Sequence, residues 1–595
     1  MYSGTNTEGP RPSKPTVHKA LELTPLEIRN LISAEAVVNW FSNTKLAEGD
    51  PRQQGFNDLA NSLQSIVIGR ELPQPVATFV HLRAVSNLLD YLNASHLNED
   101  CPECPTEEGI DEIRANLVSV SEKLLASSLF STEVREATSL QPMDPTKQRE
   151  LQLAKEMSEQ SSPEIREIRV KLVAAAAAGT RLHERMHDEQ ESLPESGVRA
   201  EVEQQLSTVV RLARDLAAKT NIPTAKEPYD VLLHQFDPDI KAELLDDLFK
   251  ELLTEQAKIL ESIEDAKNRG IEPSTMPVLE ISQDEGIALC RDVVKRMGWK
   301  WPDEIGQAGH PSAYSVLSPN FAAILLGSEV ENPLLNLLDV RHEAGHALLA
   351  SALSPDLRNS PLLLERRGVS MALDESAAMF AEILIGKGDA YWKGNYTNFQ
   401  AACPALADTS ATDFIQSLHS IPTQPSAIRL QSDDLRYPLH IIIRYQIERS
   451  LINGELEPEQ ALDRFDDLAS EILGVKESDV YTGLAQDPHM LEGEFGYFPQ
   501  YLVALVVSSQ FYGAALRSDP SIKEELEKGN EAPLWKWFQD NVAADAGKLP
   551  LPELVEKATG KPLGVHDYLS MLWNRYGTPY GVEVPERYKD WPLGA

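Results

Sequence analysis

Apolar residues recur at three- and four-residue intervals along most of this chain. In DIKAELLDDLFKELLTEQAKILESIED, residues 239–265, positions Leu245, Leu248, Phe249, Leu252, Leu253, Ile259, Leu260 and Ile263 share one face, with acids and lysines opposite. Segments 200–218, 333–353, 371–385, 437–452 and 459–473 have the same pattern. Alternating Val, Ile and Thr are scarce, so the expected architecture is mainly α with at most a small β-sheet. Five consecutive alanines at 174–178 suit a strong helix former or a close helix contact.

Punctuation divides this helical material. Breaks fall at QPMDPTK (141–147), NIPTAKEPYD (221–230), IEPSTMP (271–277) and SPDLRNSP (354–361). Residues 1–150 are expected to form an N-terminal helical region, and 151–595 a larger helical body. The balance of 55 Lys and Arg against 92 Asp and Glu gives a net charge of −37. Such a field repels phosphate backbones and anionic lipid, which argues against nucleic-acid or membrane-surface binding. The start of the chain is polar, and the apolar run at 501–507 is far shorter than the roughly twenty residues a bilayer requires. Four cysteines are too few for a disulfide scaffold, and the CPEC tetrad at 101–104 has no second pair at zinc-finger spacing. A cytoplasmic protein is expected.

The pattern His-Glu-x-x-His occurs twice, at 183–187 and 342–346. Histidines four apart share a helix face, and the intervening Glu can reach a water on a shared metal. HEAGH (342–346) lies among Ala344, Gly345, Ala347, Leu348 and Leu349, the dry surroundings a catalytic zinc needs, in a helix started by Asn332 and Pro333. HERMH (183–187) is flanked by Arg185, Asp188 and Glu189, the composition of a solvated face. It is expected to be exposed and metal-free, with substitutions of His183 or His187 leaving turnover unchanged. A third ligand is expected on the amphipathic segment 368–386. Glu375, 29 residues after His346 and surrounded by Ala372, Leu373, Ala377 and Ala378, is a buried acid that is costly unless paired or metal-bound. Asp374 fills the lesser role of a helix-start acid. Zinc held by His342, His346 and Glu375 would polarise a carbonyl and acidify a bound water, and Glu343 would carry its proton to a leaving amine. Co²⁺ or Mn²⁺ could replace Zn²⁺ on such ligands.

Together HEAGHAL (342–348), AIRLQSDDLRYPLHIIIRYQIERSLINGEL (427–456) and GLAQDPHMLEGEFGYFPQYL (483–502) resemble the carboxypeptidase Taq family of zinc metallocarboxypeptidases. EPYDVLLHQFDPD (227–239) and the His310-Pro311 pair match as well. The resemblance implies a two-lobed helical fold with a deep groove, one divalent ion, a homodimer, and removal of C-terminal residues from peptides. It carries the metal ligands onto His342, His346 and Glu375, and the general base onto Glu343. Arg429 becomes a partner for a substrate carboxylate, with the alternative that it pairs structurally with Asp433. His310, Gln486 and Asp487 become substrate-side residues. His489, Tyr497 and Tyr501 become candidate oxyanion donors, or else core aromatics with hydrogen-bonded tips.

The sequence departs from the family pattern on the substrate side and around the third ligand. The family's HPF reads His310-Pro311-Ser312, its DxRxT is replaced by Phe321, Ala323 and Leu325, its HESGQ reads Asp374-Glu375-Ser376-Ala377, and the final Trp of GxxQDxHW is Met490. Metal and base are kept while one groove wall changes from polar to apolar. The leading expectation is therefore a peptide hydrolase acting at C-terminal amide bonds. Its rivals are a small-molecule amide substrate on the same metal site, and a non-catalytic scaffold, against which the intact HEAGH and Glu375 argue.

Overall fold

The computed structural model describes residues 162–188, 195–298, 305–307, 314–318, 321–326, 332–353, 370–475 and 479–592, with buried helical positions at Ile113, Leu117 and Val120. The expected N-terminal region at 1–150, apart from those three positions, the CPEC pair and His310 lie outside the described residues.

The first helices are α1 (Pro163–Asp188), α2 (Glu195–Lys219), α3 (Pro228–Phe236), α4 (Ala242–Asn268) and α5 (Gln283–Met297). Three short strands follow, β1 (Ile305–Gln307), β2 (Tyr314–Ser318) and β3 (Phe321–Leu326). Then come α6 (Pro333–Ala352), α7 (Met371–Met379), α8 (Asp389–Ala402), α9 (Ala411–Leu418), α10 (Tyr437–Asn453), α11 (Ala461–Leu468), α12 (His489–Glu492) and α13 (Phe498–Ser518). The described chain ends with α14 (Ser521–Leu526), α15 (Ala532–Phe538), α16 (Leu551–Thr559) and α17 (His566–Leu572). The mainly α expectation holds. The sheet has order β1-β3-β2, with β3 parallel to β1 and antiparallel to β2. Phe321, Ala323 and Leu325 occupy alternate positions of β3, out of phase with the fully buried Ile324.

Local signals account for the helices that matter most. Asn332 caps α6 by accepting from the Leu334 and Leu335 amides at 3.0 and 3.3 Å, and Pro333 opens its first turn. Ser370 caps α7 through the Leu373 amide at 3.0 Å. On α4, Leu245, Leu248, Phe249, Leu252, Ile259 and Ile263 are buried, as their spacing requires, with Leu253 and Leu260 packed at the margin.

One glycine sets the distance between α6 and α7. A Cβ on Gly345 would lie 2.5 Å from the Ala377 carbonyl oxygen and 2.6 Å from the Ala378 Cα. The helices therefore touch backbone to backbone there, with His342 and His346 on one and Glu375 on the other. Helix α13, buried almost all round, packs along α7 and closes the far side. Away from the histidines, the fully buried Arg341 forms a bidentate pair with Glu531 at 2.9 and 2.8 Å and donates from Nε to the Ala381 carbonyl at 2.8 Å. Breaking such a buried pair from one side costs about 3–5 kcal/mol, so Arg341 anchors α6 to the segment after α7.

Candidate metal centre and substrate side

On α6 the two histidine rings stand edge to face at 5.1 Å. Glu375 Oε2 lies 3.6 Å from His342 Nε2 and 3.8 Å from His346 Nε2, and the three ligand atoms fall within 4.8 Å of one another. That oxygen is buried without a hydrogen-bond partner, an expensive state for a carboxylate unless a cation joins it. The other Glu375 oxygen accepts from the Tyr497 hydroxyl at 3.3 Å.

Both histidines have their second nitrogen turned to an acid. His342 Nδ1 is 2.9 Å from Glu382 Oε2, and His346 Nδ1 is 3.2 Å from Asp374 Oδ2. Acids at Nδ1 favour the tautomer whose Nε2 lone pair is free, the usual arrangement behind a metal-binding imidazole. Burial works against a charged His342, but the Glu382 hydrogen bond and the charges of Glu382, Glu343 and Glu375 outweigh it and lift its pKa to about 10. His346 moves upward too, with burial opposed by Asp374 and Glu375. The pocket thus favours positive charge where the two Nε2 atoms and Oε2 converge, and the donor set fits a divalent ion. Glu343, directly after His342 on the same helix, is buried as well.

Glu382 was not anticipated. It sits seven residues after Glu375 on a π-helical segment, Phe380–Gly386, that continues α7. The signal was an acid within the apolar run FAEILIG. Asp374, expected as a helix-start acid, lies against His346.

The substrate-side residues meet around Arg429. Its Nε and Nη2 donate to Asp487 Oδ1 at 3.0 and 2.8 Å, and Nη1 donates to the Tyr437 hydroxyl at 3.0 Å. The Tyr437, Phe498 and Tyr501 rings lie 5.5, 5.5 and 5.6 Å from its guanidinium carbon. The alternative pairing with Asp433 does not form, because Asp433 binds Arg436 at 2.7 Å. Asp487 Oδ2 also lies 2.6 Å from Arg444 Nη2. Burial would raise the Asp487 pKa, but the two arginines win and hold it well below the carboxylate range. This buried triad carries one surplus positive charge. Gln486 fastens it: its Oε1 accepts from the Arg429 amide at 2.5 Å, and its Nε2 donates to the Ala427, Thr482 and Gly483 carbonyls.

His489 stacks among Tyr497, Phe498 and Tyr501, with Nε2 3.4 Å from the Tyr501 hydroxyl. Burial, aided by Arg429, Arg444 and His183 against the pull of Asp487, lowers its pKa to about 3, so it is neutral. The buried Glu448, unanticipated, accepts from the Tyr229 hydroxyl and the Gly496 amide, each at 2.8 Å. Gly496 has φ +95 and a Cβ there would crowd the Leu233 amide at 3.0 Å, so Glu448 fixes a glycine-dependent turn directly before Tyr497.

The first His-Glu-x-x-His is less exposed than its composition suggests. His183 is buried, with Nε2 3.0 Å from the Gln486 carbonyl oxygen, while Arg185 pairs with Glu201 on α2. His183 takes no part in the metal-type cluster, and the His187 side chain lies outside the described residues. A cleft of about 770 Å³ between α4, α10 and α11 shares no lining residue with that cluster, so donor chemistry rather than cavity size locates the site.

Residues 74–576 match the carboxypeptidase Taq (M32) metallopeptidase family, and the chain belongs to it. It is a metal-dependent peptide hydrolase of the carboxypeptidase class. Carboxypeptidase 1 of Bacillus subtilis (strain 168) is 27% identical over 358 residues, 60% of this chain and 70% of that one. Thermostable carboxypeptidase 1 of Thermus thermophilus is 26% identical over 362 residues, 60% of this chain and 69% of that one. In fold, the M32 carboxypeptidase from Deinococcus radiodurans R1 superposes with a TM-score of 0.72 at 22% identity, covering 86% of this chain and 98% of the other. The Trypanosoma cruzi metallocarboxypeptidase 1 does so at 0.73 and 19%, covering 84% and 98%. Among the described residues no helix is long and apolar enough to cross a membrane.

Proposed function

We propose that this chain is a zinc carboxypeptidase that removes C-terminal residues from short peptides, with His342, His346 and Glu375 as metal ligands and Glu343 as general base. The observation that carries the reading is the buried, unpartnered Glu375 Oε2 facing two imidazole nitrogens whose opposite sides are held by acids. Imidazole and carboxylate donors suit Zn²⁺, with Co²⁺ or Mn²⁺ as substitutes. When bound, the ion supplies Lewis acidity and brings the pKa of a water towards about 7.

This chain's own residues do the rest. Glu343 accepts the attacking water's proton and returns it to the leaving amine. Tyr501 and the neutral His489 are hydrogen-bond donors for the developing oxyanion, and Tyr497, whose hydroxyl hydrogen rests on Glu375 Oε1, joins them by turning from that carboxylate. Arg429 and the surplus charge of its triad receive the substrate carboxylate, for which a guanidinium is suited at any working pH. Gln486 and Asp487 hold that arginine, and His310 is assigned to the same side on sequence grounds alone. We place the enzyme in the cytoplasm as a homodimer; the buried free thiols of Cys290 and Cys403 suit a reducing compartment.

The test is metal analysis of the purified protein beside release of free amino acids from a mixed peptide pool. One metal equivalent is expected, lost with activity on chelation, restored by Zn²⁺ and absent from His346→Ala. Full metal content in that variant, or turnover unaffected by chelator, would refute the assignment. A second reading, a small amide substrate, draws on the replacement of the polar DxRxT by Phe321, Ala323 and Leu325. Cleavage of N-blocked dipeptides alone, with no release from longer peptides, would favour it.

A further inference from the structure

We propose that helix α1 is a brace for the substrate-side turn 484–492, and that His183 is its positioning residue, acting through the Gln486 carbonyl on Arg429 and His489. The inference rests on the role given above to His489. Four contacts along α1 and from its neighbour α2 carry it. A Cβ on Gly179 would stand 2.2 Å from the Leu491 carbonyl oxygen, so the α1 backbone lies directly on this turn with no room for a side chain. Thr180 donates its hydroxyl to Glu492 Oε1 at 2.7 Å. Gln205 on α2 donates to both the Ala175 and Leu491 carbonyls, at 2.7 and 2.6 Å, and ties the two together. One turn beyond Gly179, His183 Nε2 lies 3.0 Å from the Gln486 carbonyl oxygen. A carbonyl only accepts, so Nε2 carries the hydrogen and donates.

Ala175, Gly179 and His183 are spaced by four, so they form one stripe of α1, small at one end and hydrogen-bonding at the other. This stripe explains the alanine run as a close-contact surface. It also gives the first His-Glu-x-x-His a use that needs no metal. Gln486 is the hub the stripe grips. Its side chain holds the Arg429 amide, and two nearby members of its motif, Asp487 and His489, pair with Arg429 and pack on Tyr501. A donor lost at His183 leaves a carbonyl unsatisfied at the root of this arrangement. Displacements of about 1 Å in groups that position a substrate can cost on the order of 10²-fold in rate.

The experiment compares His183→Ala, His183→Gln and His183→Phe, with His489→Ala and the double variant His183→Ala/His489→Ala, on one free-acid peptide. His183→Ala should lower kcat at least tenfold while metal content stays at the wild-type level. His183→Gln, which can still donate, should recover most of the loss, and His183→Phe, which fills space without donating, should not. Because His183 is argued to act through the same turn, the double variant should be little worse than His489→Ala alone. Equal recovery by Gln and Phe would reduce His183 to packing and overturn the proposal, as would fully additive losses in the double variant. Should His183→Ala fail to fold, Gln against Phe still decides. Wild-type turnover in His489→Ala would instead sink the role assigned to His489 itself, a result distinct from any failure of the brace.

Discussion

The metal centre and the substrate side of this enzyme are built in opposite ways. The metal centre comes from two neighbouring helices brought into backbone contact at Gly345, and each ligand is oriented by an acid or tyrosine within hydrogen-bond reach. The substrate side gathers Arg429, Arg444, Gln486, Asp487, His489 and Tyr501 from a short turn, two long helices and a loop. It is held by a buried ion triad and by hydrogen bonds spanning up to 312 residues in sequence. The first design protects the chemistry from distant change. The second leaves substrate selection adjustable, and most of the departures from the family pattern fall in its motifs, although the change around Glu375, where HESGQ reads Asp374-Glu375-Ser376-Ala377, falls at the metal centre.

If the two regions are separable, the deepest loss should come from the metal side without disturbing the other. Glu343→Gln keeps shape and metal and removes the proton acceptor, so turnover should fall about 10²–10⁴-fold while KM for a free-acid peptide moves little. Activity within tenfold of wild type would give the base to another residue.

The reverse cut is Arg429→Ala. A desolvated charge pair with the substrate carboxylate is worth about 2–5 kcal/mol, roughly 30- to 5,000-fold in kcat/KM. Metal content should stay whole, and Asp487 keeps Arg444 as partner. C-terminally amidated peptides, which lack the carboxylate, should be poor substrates of the wild type and lose almost nothing further. If the wild type cleaves amidated and free-acid peptides equally well, Arg429 is structural and an endopeptidase or small-amide reading takes precedence.

A milder test sharpens the claim that the metal side carries its own support. Glu382→Gln leaves every ligand in place but weakens the partner of His342 Nδ1. Such outer partners typically contribute 10–100-fold in metal affinity. A loss in that range, measured by competition with a chelator, is expected with KM unchanged. Unaltered affinity would mean that Glu382 does not orient the ring.

The same contrast decides what could be read from the sequence. The two histidines, Glu343 and Glu375 were legible because helical spacing and an apolar setting are local properties, as was the cap Asn332. Glu382 was missed although it stands seven residues after Glu375, a spacing that keeps both near one helix face; what local sequence does not show is that His342 on the neighbouring helix turns its Nδ1 to it. The Arg429–Asp487 pairing came from the motifs only as two separate residues, and the nearer Asp433 was the obvious rival. His183 was misjudged for a physical reason. The charges on either side of it describe the exposed flank of α1, while the stripe Ala175, Gly179, His183 is buried by a turn some three hundred residues away, on which local composition has no bearing.

The smallest effect should appear where the two regions join. Asp237, at the end of α3, accepts the Ser370 hydroxyl at 2.5 Å and so supports the cap of the ligand helix α7, but its other oxygen is buried without a partner. Burial outweighs that hydrogen bond and pushes its pKa up to about 7. In the unfolded chain an aspartate titrates near 3.9, so folding takes up a proton between roughly pH 4 and pH 7. The stabilisation from the protonated carboxyl is therefore complete below about pH 4 and is lost as the pH rises through about 7. Asp237→Asn has no proton to lose and can still accept from Ser370. Its melting temperature relative to wild type should rise between pH 5 and pH 8, by a few degrees, with kcat at fixed pH nearly unchanged. Parallel melting curves across that range would mean that the carboxyl is already ionised in the fold, and that the N-terminus of α7 stabilises the charge more than burial opposes it.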